Sequence, residues 1–438
     1  MKIHLDLDCY FVSAERVRYP FLQNLPVAVA KSGDNKIFDI KTKKRSVILG
    51  DNGVFNSALE FANETNFSAN DSNIILNMWK NEFIDKTKTP HNIHGMVIAK
   101  SYEAKPFGIT TGMSIAEALY RCPKLIIIPS DHLYYQLMSQ KLKEYLITKI
   151  PVLEQYSIDE FFGDLGGWIK DEDTFEFIKN LQSQIKSIFN LPISIAASKS
   201  KWIAKLATDK IKPYGIKVIE EDEVEEFTDN VKVDEFAGIG RQISKMLHSR
   251  GAYTLADAKK IPLAFERYGK TGRELYQKIS GADNDRVVPY SDRRSIGISR
   301  NFVAISDRSE VYRRISILSR YLSYQILKLK LNPTTFSFKL KYQYNIKHKT
   351  SVTQDMLFSE QNLSKLAKKI FHQLDIHKSW PIHYLSITAS NFVNQSNQKT
   401  LNLLTYTQDI KSQNLSNSLN KLRDKFGIDC VRWGGEGL

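Results

Sequence analysis

The sequence has few cysteines, and the three it has are far apart. Cys9, Cys122 and Cys430 form no pair with metal-ligand spacing, so neither a zinc site nor a disulfide bond is indicated. No apolar run reaches the length needed to span a bilayer. Acidic residues interrupt the first apolar stretch within eight residues, which argues against a signal peptide. We therefore expect a cytoplasmic protein with no membrane partner.

The charge balance is the unusual feature of the composition. The chain has 438 residues, and its 62 Lys and Arg against 48 Asp and Glu give a net charge of +14. This length is too great for one hydrophobic core, so several domains are expected. A basic multidomain chain favours a polyanionic partner, of which nucleic acid is the leading candidate. The alternative is a basic solvated surface that has no specific partner.

The first residues carry a strand pattern with acids on one face. Lys2–Asp8 alternates strictly, with apolar residues at the odd positions and His4, Asp6 and Asp8 at the even ones. The apolar face predicts that this strand is buried. Because an isolated buried carboxylate costs several kcal/mol, the acidic face needs a cation or hydrogen-bond donors beside it.

A second acidic stretch, Tyr156–Phe162, contains Asp159 and Glu160 among apolar strand-forming residues. Such acids serve two reaction classes: they hold hard divalent ions, Mg²⁺ above all, or they hydrolyse glycosides without a metal. The basic chain has no sugar-stacking aromatic pattern, which disfavours the second class. Adjacent residues on a regular strand point to opposite faces. Either a turn or bulge redirects one of these acids, or only one of them is a ligand.

Several basic and glycine positions are candidates for phosphate binding. Tyr102, Lys105 and Lys212 could together hold a triphosphate, although each alone reads as a surface lysine or a core tyrosine. The segment with Gly238 and Gly240 predicts a helix–hairpin–helix unit, whose backbone N–H groups can face a phosphate. An ordinary glycine-rich turn between helices would have a similar sequence.

From Ser295 onward the pattern predicts a βαββαβ unit with both helices on one face of a sheet. Phe336–Ile346 alternates without a fault, and its polar face carries Lys339 and Lys341 but no acid. This favours contact with a phosphate backbone over a merely solvated edge. By contrast, Ser32–His94 is rich in Asn, Asp, Lys and Ser, and reads as an insertion or small subdomain.

Four motifs, in order, resemble those of the Y-family translesion DNA polymerases, and the DinB type most closely. They are Asp6–Phe11, Ser101–Lys105, Ser157–Glu160 and Lys212–Pro213. The resemblance implies an α+β multidomain fold like a right hand. It places palm and fingers at 1–225 with an insertion at about 32–94, a small helical thumb with the helix–hairpin–helix at 226–290, and a βαββαβ little-finger domain at 291–434.

The resemblance also implies roles for the acids and their neighbours. Asp6, Asp159 and Glu160 match the catalytic acids, which together with the Leu7 carbonyl hold two Mg²⁺ ions, so both adjacent acids would converge. Phe11 matches the steric gate that rejects a ribose 2′-hydroxyl. The implied nucleotide contacts are Tyr10, Phe11, Tyr102, Lys105 and Lys212. The implied DNA contacts are Gly238, Gly240, Lys339 and Lys341.

The implied function is template-directed DNA synthesis past damaged bases, by two-metal nucleotidyl transfer, with low fidelity and no proofreading. The expected partners are primer-template DNA, dNTP and the replication sliding clamp, and the protein is expected to be a monomer. One alternative is a non-catalytic DNA-binding accessory factor on the same scaffold. Another is a palm-type nucleotidyl cyclase, which would have no use for a thumb hairpin or a basic βαββαβ domain.

The chain departs from the family pattern at two places. Lys105 stands where arginine is usual, which keeps the charge but loses the bidentate fork. The family's clamp-binding peptide is degenerate here, with Leu401, Leu403 and Leu404 as its candidate residues. Gln354–Phe358 fits the clamp consensus better, but it lies in a predicted strand, where core packing is the favoured reading.

Overall fold

The computed structural model describes residues 1–32, 35–38, 45–48, 58–61, 82–84, 93–344, 346–354, 357–393 and 406–436. Contacts divide the chain into two compact units. The first contains Met1–Lys31 and Ser68–Tyr290, and the second contains Ser32–Phe67 and Ser291–Leu438. The start of the predicted insertion thus groups with the C-terminal part of the chain. The three predicted domains stay a prediction.

The described residues form both strands and helices, as the α+β prediction requires. The strands are β1 (Lys2–Leu7), β2 (Val27–Lys31), β3 (Arg45–Ile48), β4 (Ala58–Phe61), β5 (Met96–Lys100), β6 (Ile126–Pro129), β7 (Val152–Gln155), β8 (Glu160–Asp164), β9 (Ile193–Ser198), β10 (Ile216–Ile219), β11 (Ser295–Ile305), β12 (Pro333–Tyr342), β13 (Lys347–Thr353) and β14 (Ile382–Phe392). The helices are α1 (Tyr10–Arg18), α2 (Ile115–Arg121), α3 (His132–Ile147), α4 (Thr174–Phe189), α5 (Lys201–Ile211), α6 (Val224–Asp229), α7 (Arg241–His248), α8 (Leu255–Lys259), α9 (Leu263–Glu266), α10 (Gly269–Ile279), α11 (Arg308–Lys328), α12 (Glu360–Leu374) and α13 (Tyr406–Phe426).

A five-stranded sheet with the order β10-β9-β1-β8-β7 forms the centre of the first unit. Strand β1 lies in its middle, antiparallel to both β8 and β9. The strict alternation of β1 sends Ile3, Leu5 and Leu7 into the hydrophobic core on one face. His4 and Asp6 therefore lie on the opposite face, over which helix α5 packs.

A second, three-stranded sheet of the first unit has the order β5-β2-β6. The turn after β5 is tied to β2 through Ser101, whose hydroxyl accepts a hydrogen bond from the Val27 N–H at 3.1 Å. A short 3₁₀ helix at Lys105–Phe107 follows, and Gly108 ends it with a positive φ of 69°. These contacts position the segment that carries Tyr102 and Lys105.

The described residues of the second unit build a four-stranded sheet with the order β11-β14-β12-β13. Helices α11 and α12 pack on one face of it, so the predicted βαββαβ pattern is confirmed. Ile37 and Phe38, from the start of the predicted insertion, belong to the hydrophobic core of this unit. The Phe38 ring packs edge-on against Phe302 at 5.9 Å, and the Arg313 guanidinium donates to the Phe38 carbonyl at 2.9 Å.

The structure corrects the predicted strand at Phe336–Ile346. Strand β12 ends at Tyr342, where a turn begins that is closed by a hydrogen bond from the Tyr342 N–H to the Ile346 carbonyl, 2.9 Å long. Tyr344, predicted on the apolar face, is consequently 66% exposed. Alternation of residue types continued past the end of the strand because a turn can carry the same sequence pattern.

No described helix is both long and apolar enough to cross a membrane.

Candidate active site

The two acidic stretches lie side by side in the five-stranded sheet. Asp6 on β1 is paired directly with Glu160, the first residue of β8. Asp159 precedes that strand and lies in the connection from β7, where its carbonyl accepts a hydrogen bond from the Leu7 N–H at 3.0 Å. Asp159 and Glu160 are thus not consecutive residues of a regular strand. The strand-face difficulty disappears, because a turn sets the direction of Asp159.

Asp6 is a buried carboxylate paired with an ammonium group. Its Oδ2 lies 2.6 Å from the Lys212 Nζ, and only 6% of the Asp6 side chain is exposed. Burial raises the pKa of Asp6 to about 8, although Lys212 favours the charged form. Glu160 and Asp159 raise this pKa further through charge repulsion. The three acids therefore share one electrostatic environment, which a bound cation would stabilise.

The other two acids have separate partners. Glu160 Oε1 lies 2.6 Å from the Nζ of Lys205, a residue of helix α5. Asp159 accepts a hydrogen bond from the Ser157 hydroxyl at 2.5 Å, and burial raises the pKa of its carboxyl. Lys205 belongs to none of the motifs identified in the sequence. It reaches Glu160 because helix α5 packs over the sheet.

His4 is a further member of this cluster that sequence reasoning missed. Its ring nitrogen, an Asp6 oxygen and a Glu160 oxygen all lie within 4.8 Å of one another, and among the described residues Asp159 is not part of that group. The available signal was the strand period, since His4 lies two residues before Asp6 on the same face. Carboxylate oxygens with an imidazole nitrogen are a donor set that suits a divalent cation.

Phe11 lies on the first turn of α1 and is half-buried. Its ring stacks on Tyr135 with the centroids 4.5 Å apart and the planes 15° from parallel. Tyr135 is fully buried, and its hydroxyl donates to the Glu15 carboxylate at 2.7 Å. The Tyr10 side chain is also buried, with its hydroxyl donating to the Tyr135 carbonyl. This leaves only the backbone of Tyr10 for the predicted nucleotide contact.

The predicted triphosphate residues lie on two segments of the first unit. The Tyr102 hydroxyl is 3.4 Å from Asp8 Oδ1, and the Lys105 Nζ lies 3.6 Å from the centre of the Tyr102 ring. Lys212 follows the last residue of α5 and contacts Asp6. Asp8 itself accepts hydrogen bonds from the Ser194 hydroxyl and from the Tyr214 N–H. These bonds give Asp8 a structural role.

The predicted thumb contacts lie at the start of helix α7. Gly238 has a φ of 99°, a conformation that residues with a Cβ rarely adopt. Gly240 is the N-cap of α7, and a side chain there would meet no atom within 4 Å. The backbone is therefore open at Gly240, whereas a side chain at Gly238 would meet Leu275 Cδ1 at 3.2 Å. The phosphate contact of this hairpin stays a prediction.

The other predicted DNA contacts lie on the open face of the second unit's sheet. Lys339 and Lys341 on β12 point away from α11 and α12, and their ammonium groups lie 5.7 and 4.6 Å from the centre of the Tyr384 ring. Lys339 is paired with Lys349 and Lys341 with Lys347 on β13. Among the paired positions of this face in the described strands, none is Asp or Glu.

The predicted clamp-binding residues Leu401, Leu403 and Leu404 lie outside the described residues. Of the alternative peptide, Phe358 is buried in the core of the second unit, stacked on Phe336 at 6.2 Å. Strand β13 ends at Thr353, before this peptide. The interpretation that Phe358 packs in the core is therefore confirmed. The strand predicted for this peptide is wrong, because β13 ends before it.

Comparison with known proteins identifies the family. The model described as the impB/mucB/samB family matches residues 71–209, and the model of its C-terminal domain matches residues 293–403. DNA polymerase IV of Lactococcus lactis subsp. cremoris (strain MG1363) is 30% identical over 306 residues, covering 68% of this chain and 83% of that protein. DNA polymerase IV of Clostridium kluyveri is 27% identical over 364 residues, covering 79% of this chain and 89% of that protein.

Solved structures agree on the fold. A Y-family DNA polymerase chimera matches with a TM-score of 0.66 at 20% identity, covering 90% of this chain and 99% of that one. The insertion ternary complex of Dbh DNA polymerase matches with a TM-score of 0.53 at 19% identity, with the same coverage. The chain belongs to the impB/mucB/samB family, the Y family of DNA polymerases. The predicted DinB-type resemblance and the DNA polymerase class are thereby confirmed.

Proposed function

We propose that this protein extends primers on a DNA template past damaged bases by two-metal nucleotidyl transfer, with low fidelity and without proofreading. The observation that carries the proposal is the pairing of Asp6 with Glu160 on one sheet face, with Asp159 beside them. Family membership supports divalent metal-dependent catalysis. Mg²⁺ as the ion, and two ions as the number, belong to the proposal.

In this proposal Asp6, Asp159, Glu160 and the Leu7 carbonyl hold the divalent ions. Such ions, when bound, lower the pKa of the primer 3′-hydroxyl and neutralise charge on the leaving pyrophosphate. The residues present fit this role, because Asp6 is a buried acid whose carboxyl is already beside an ammonium group. Lys212 and Lys205 hold these carboxylates with 2.6 Å contacts. Both would yield part of these contacts to the ions.

The incoming dNTP would bind between the acids and the turn after β5. Lys105 and Lys212 supply positive charge, and the Tyr102 hydroxyl supplies a donor, for the triphosphate. Phe11 would lie under the sugar and exclude a ribose 2′-hydroxyl. Its ring is held in place from behind by the stacked Tyr135.

Primer-template DNA is the proposed macromolecular substrate. The glycine hairpin at Gly238 and Gly240 offers backbone N–H groups to a phosphate of the duplex. The face with Lys339 and Lys341 offers ammonium groups to the backbone, which makes binding strongly salt-dependent. We further propose that the protein acts as a monomer in the cytoplasm and contacts the sliding clamp through the segment with Leu401, Leu403 and Leu404.

Primer extension by the full chain tests the proposal. With Mg²⁺ and dNTPs, Asp159→Ala and Glu160→Ala should each lower incorporation about 10³-fold or more, since each removes a charge that holds the ions. Asp164→Asn is the matched control. Asp164 lies at the other end of β8, and its Oδ1 accepts a hydrogen bond from the Gly166 N–H at 2.9 Å. Undamaged, abasic and bulky-adduct templates should be run in parallel to define lesion bypass.

Three results would contradict the proposal. Near wild-type activity in both acid variants would mean that Asp159 and Glu160 do not hold the catalytic metal ions. DNA binding without Mg²⁺-dependent incorporation would identify a non-catalytic accessory factor. Nucleotide turnover that is independent of a template would identify a cyclase-type reaction instead.

A further inference from the structure

The short 3₁₀ helix Asn35–Phe38, at the start of the predicted insertion, is attached to the second unit through two apolar side chains. Ile37 and Phe38 are 2% and 4% exposed, and both belong to the hydrophobic core of that unit. Burial of two large apolar side chains strongly favours the attached state over a solvated one. The segment is therefore a fixed part of the second unit, although the chain reaches it directly from the first.

Helix α11 supplies the polar half of this attachment. The Arg313 guanidinium donates to the Phe38 carbonyl at 2.9 Å, and the Arg314 guanidinium lies 4.4 Å from the centre of the Phe38 ring. Glu310 holds both arginines with contacts of 2.6 Å, since residues three and four apart share one face of a helix. A hydrogen bond to the carbonyl and a cation over the ring fix both the backbone and the side chain of Phe38.

The chain enters the second unit just before this attachment. Lys31 is the last residue of β2, which is paired with β5 in the first unit, and Ser32 belongs to the second unit. Ile37 follows Lys31 by only six residues. Because an extended residue spans at most about 3.6 Å, these six residues reach at most about 22 Å. The chain returns to the first unit only after Phe67, so the entry is the shorter of the two connections that the insertion makes.

A second short connection between the units lies at Tyr290–Ser291. On the side of the first unit, the Val288 N–H donates to Glu154 Oε2 at 2.7 Å, and on the other side β11 begins at Ser295. These seven residues reach at most about 25 Å. A domain held by one tether can pivot about a point, whereas two tethers at separate positions remove much of that freedom.

We propose that Asn35–Phe38 is a strap that limits how far the second unit can move from β2, so that both units stay bound to one primer-template DNA. We base this on the proposed function, which gives DNA contacts to the glycine hairpin of the first unit and to the lysine face of the second. Two linked sites on one ligand act through an effective concentration that falls roughly as the −3/2 power of tether length. A short tether therefore slows the release of DNA without contacting the catalytic acids.

Lengthening the tether tests the strap, because every side chain of the attachment stays in place. Ten or twenty Gly and Ser residues are inserted between Ser32 and Gly33 of the full chain, and the dissociation rate of a fluorescent primer-template is measured in excess unlabelled DNA. Tethers of about 16 and about 26 residues give upper limits of about fourfold and about ninefold for faster release. We expect rises of at least about twofold and threefold, since the second connection keeps part of the restraint. Incorporation of one dNTP on DNA that is already bound should keep its rate.

The matched control carries the same twenty residues after Gly167, in an exposed turn of the first unit where a side chain would meet no atom within 4 Å. Its DNA release should equal that of the wild type. Phe38→Ala should also speed release, because it removes the ring that packs against Phe302 and under Arg314. Near-ultraviolet circular dichroism checks the folding of each variant.

Release that does not rise with tether length overturns the strap, even where Phe38→Ala lowers stability, because that pattern would mean that Phe38 only fills the core. An equal rise in the variant with the insertion after Gly167 overturns it as well.

Failure of the strap and failure of the proposed function give different results. If the wild type extends primers but DNA release is insensitive to tether length, only the strap fails. If release becomes faster as the tether lengthens but the wild type incorporates no dNTP on any template, the proposed function fails and the strap stands.

Discussion

Strands of both main sheets alternate apolar and polar residues, but the polar faces of the two sheets have different surroundings. In the first unit, the polar face with His4 and Asp6 is covered by helix α5 and its lysines. In the second unit, the polar face with Lys339 and Lys341 is turned away from helices α11 and α12, and both lysines are partly exposed. A helix packed over a polar face makes it a buried charge cluster that suits metal ions. A polar face that is turned away from the helices can instead bind a polyanion. The predictions below test that difference.

The largest expected effect concerns the covered side of the second unit, where Arg423 of α13 pairs with Glu360 of α12. Both side chains are 0% exposed. Arg423→Met should lower the free energy of unfolding by about 3–5 kcal/mol, because it leaves a buried carboxylate unpaired. Chemical denaturation gives the value, and hydrogen exchange should localise the loss of protection to α12 and α13.

Lys421→Met is the control for this pair, since Lys421 is exposed on the same helix. Its effect should stay within about 0.5 kcal/mol. Equal stability of Arg423→Met and the wild type would contradict this prediction. It would mean that the buried charges on the helix side of this sheet contribute no more to stability than those on its other face.

Glu15 is a buried acid of the first unit. Burial raises its pKa to about 7 from an ordinary value of 4.5, against the opposing effects of Arg18 and of the Tyr135 hydrogen bond. Its contribution to stability is therefore fully present below pH 4.5 and is lost as the pH rises through 7. Glu15→Gln should be more stable than the wild type at pH 8 by about 3 kcal/mol, and equal to it near pH 4. Denaturation midpoints across this range give the difference, and a constant difference with pH would refute the assignment.

Lys205 tests whether the covered acids depend on the helix above them. Its pair with Glu160 is mostly buried, with 11% and 19% of the two side chains exposed. Without divalent ions, Lys205→Met should cost about 2 kcal/mol of stability, because Glu160 loses its cation. Added Mn²⁺ or Mg²⁺ should recover part of the loss.

Lys210→Met is the control on the same helix, because Lys210 is exposed and its pair with Glu235 is as well. A loss in Lys205→Met that divalent ions do not reduce would show that the ammonium does not occupy the place of a cation.

The smallest effect on stability is expected on the open face. Lys339→Met and Lys341→Met should change the unfolding free energy by less than about 0.5 kcal/mol. Each should instead lower the salt dependence of DNA binding by about one unit of slope, since one phosphate contact is lost. Fluorescence anisotropy at several salt concentrations measures this. Lys369→Met on α12 is the control, and an equal change there would remove the distinction between the two sides of the sheet.

Much of this architecture was predictable where periodicity is strong. The alternation in Lys2–Asp8 predicted β1 and its two faces, and the pattern from Ser295 onward predicted the βαββαβ unit of the second unit's sheet. Helix α13 was missed for a physical reason. It buries Ser416, Asn420 and Arg423 and exposes Leu415 and Leu422, so its pattern is the reverse of an ordinary amphipathic helix.

The sequence by itself determined the family, the α+β class and the acidic residues on which the proposed site depends. These features are local, since motifs and strand periods are read within a few residues. Only the tertiary structure decided that Asp6 pairs with Glu160, that a turn directs Asp159, and that Lys205 and His4 join the cluster. The pairing of Asp6 with Glu160 joins segments more than a hundred residues apart in the chain, and Lys205 is 45 residues from Glu160. Strand register and helix packing, not sequence spacing, bring them together.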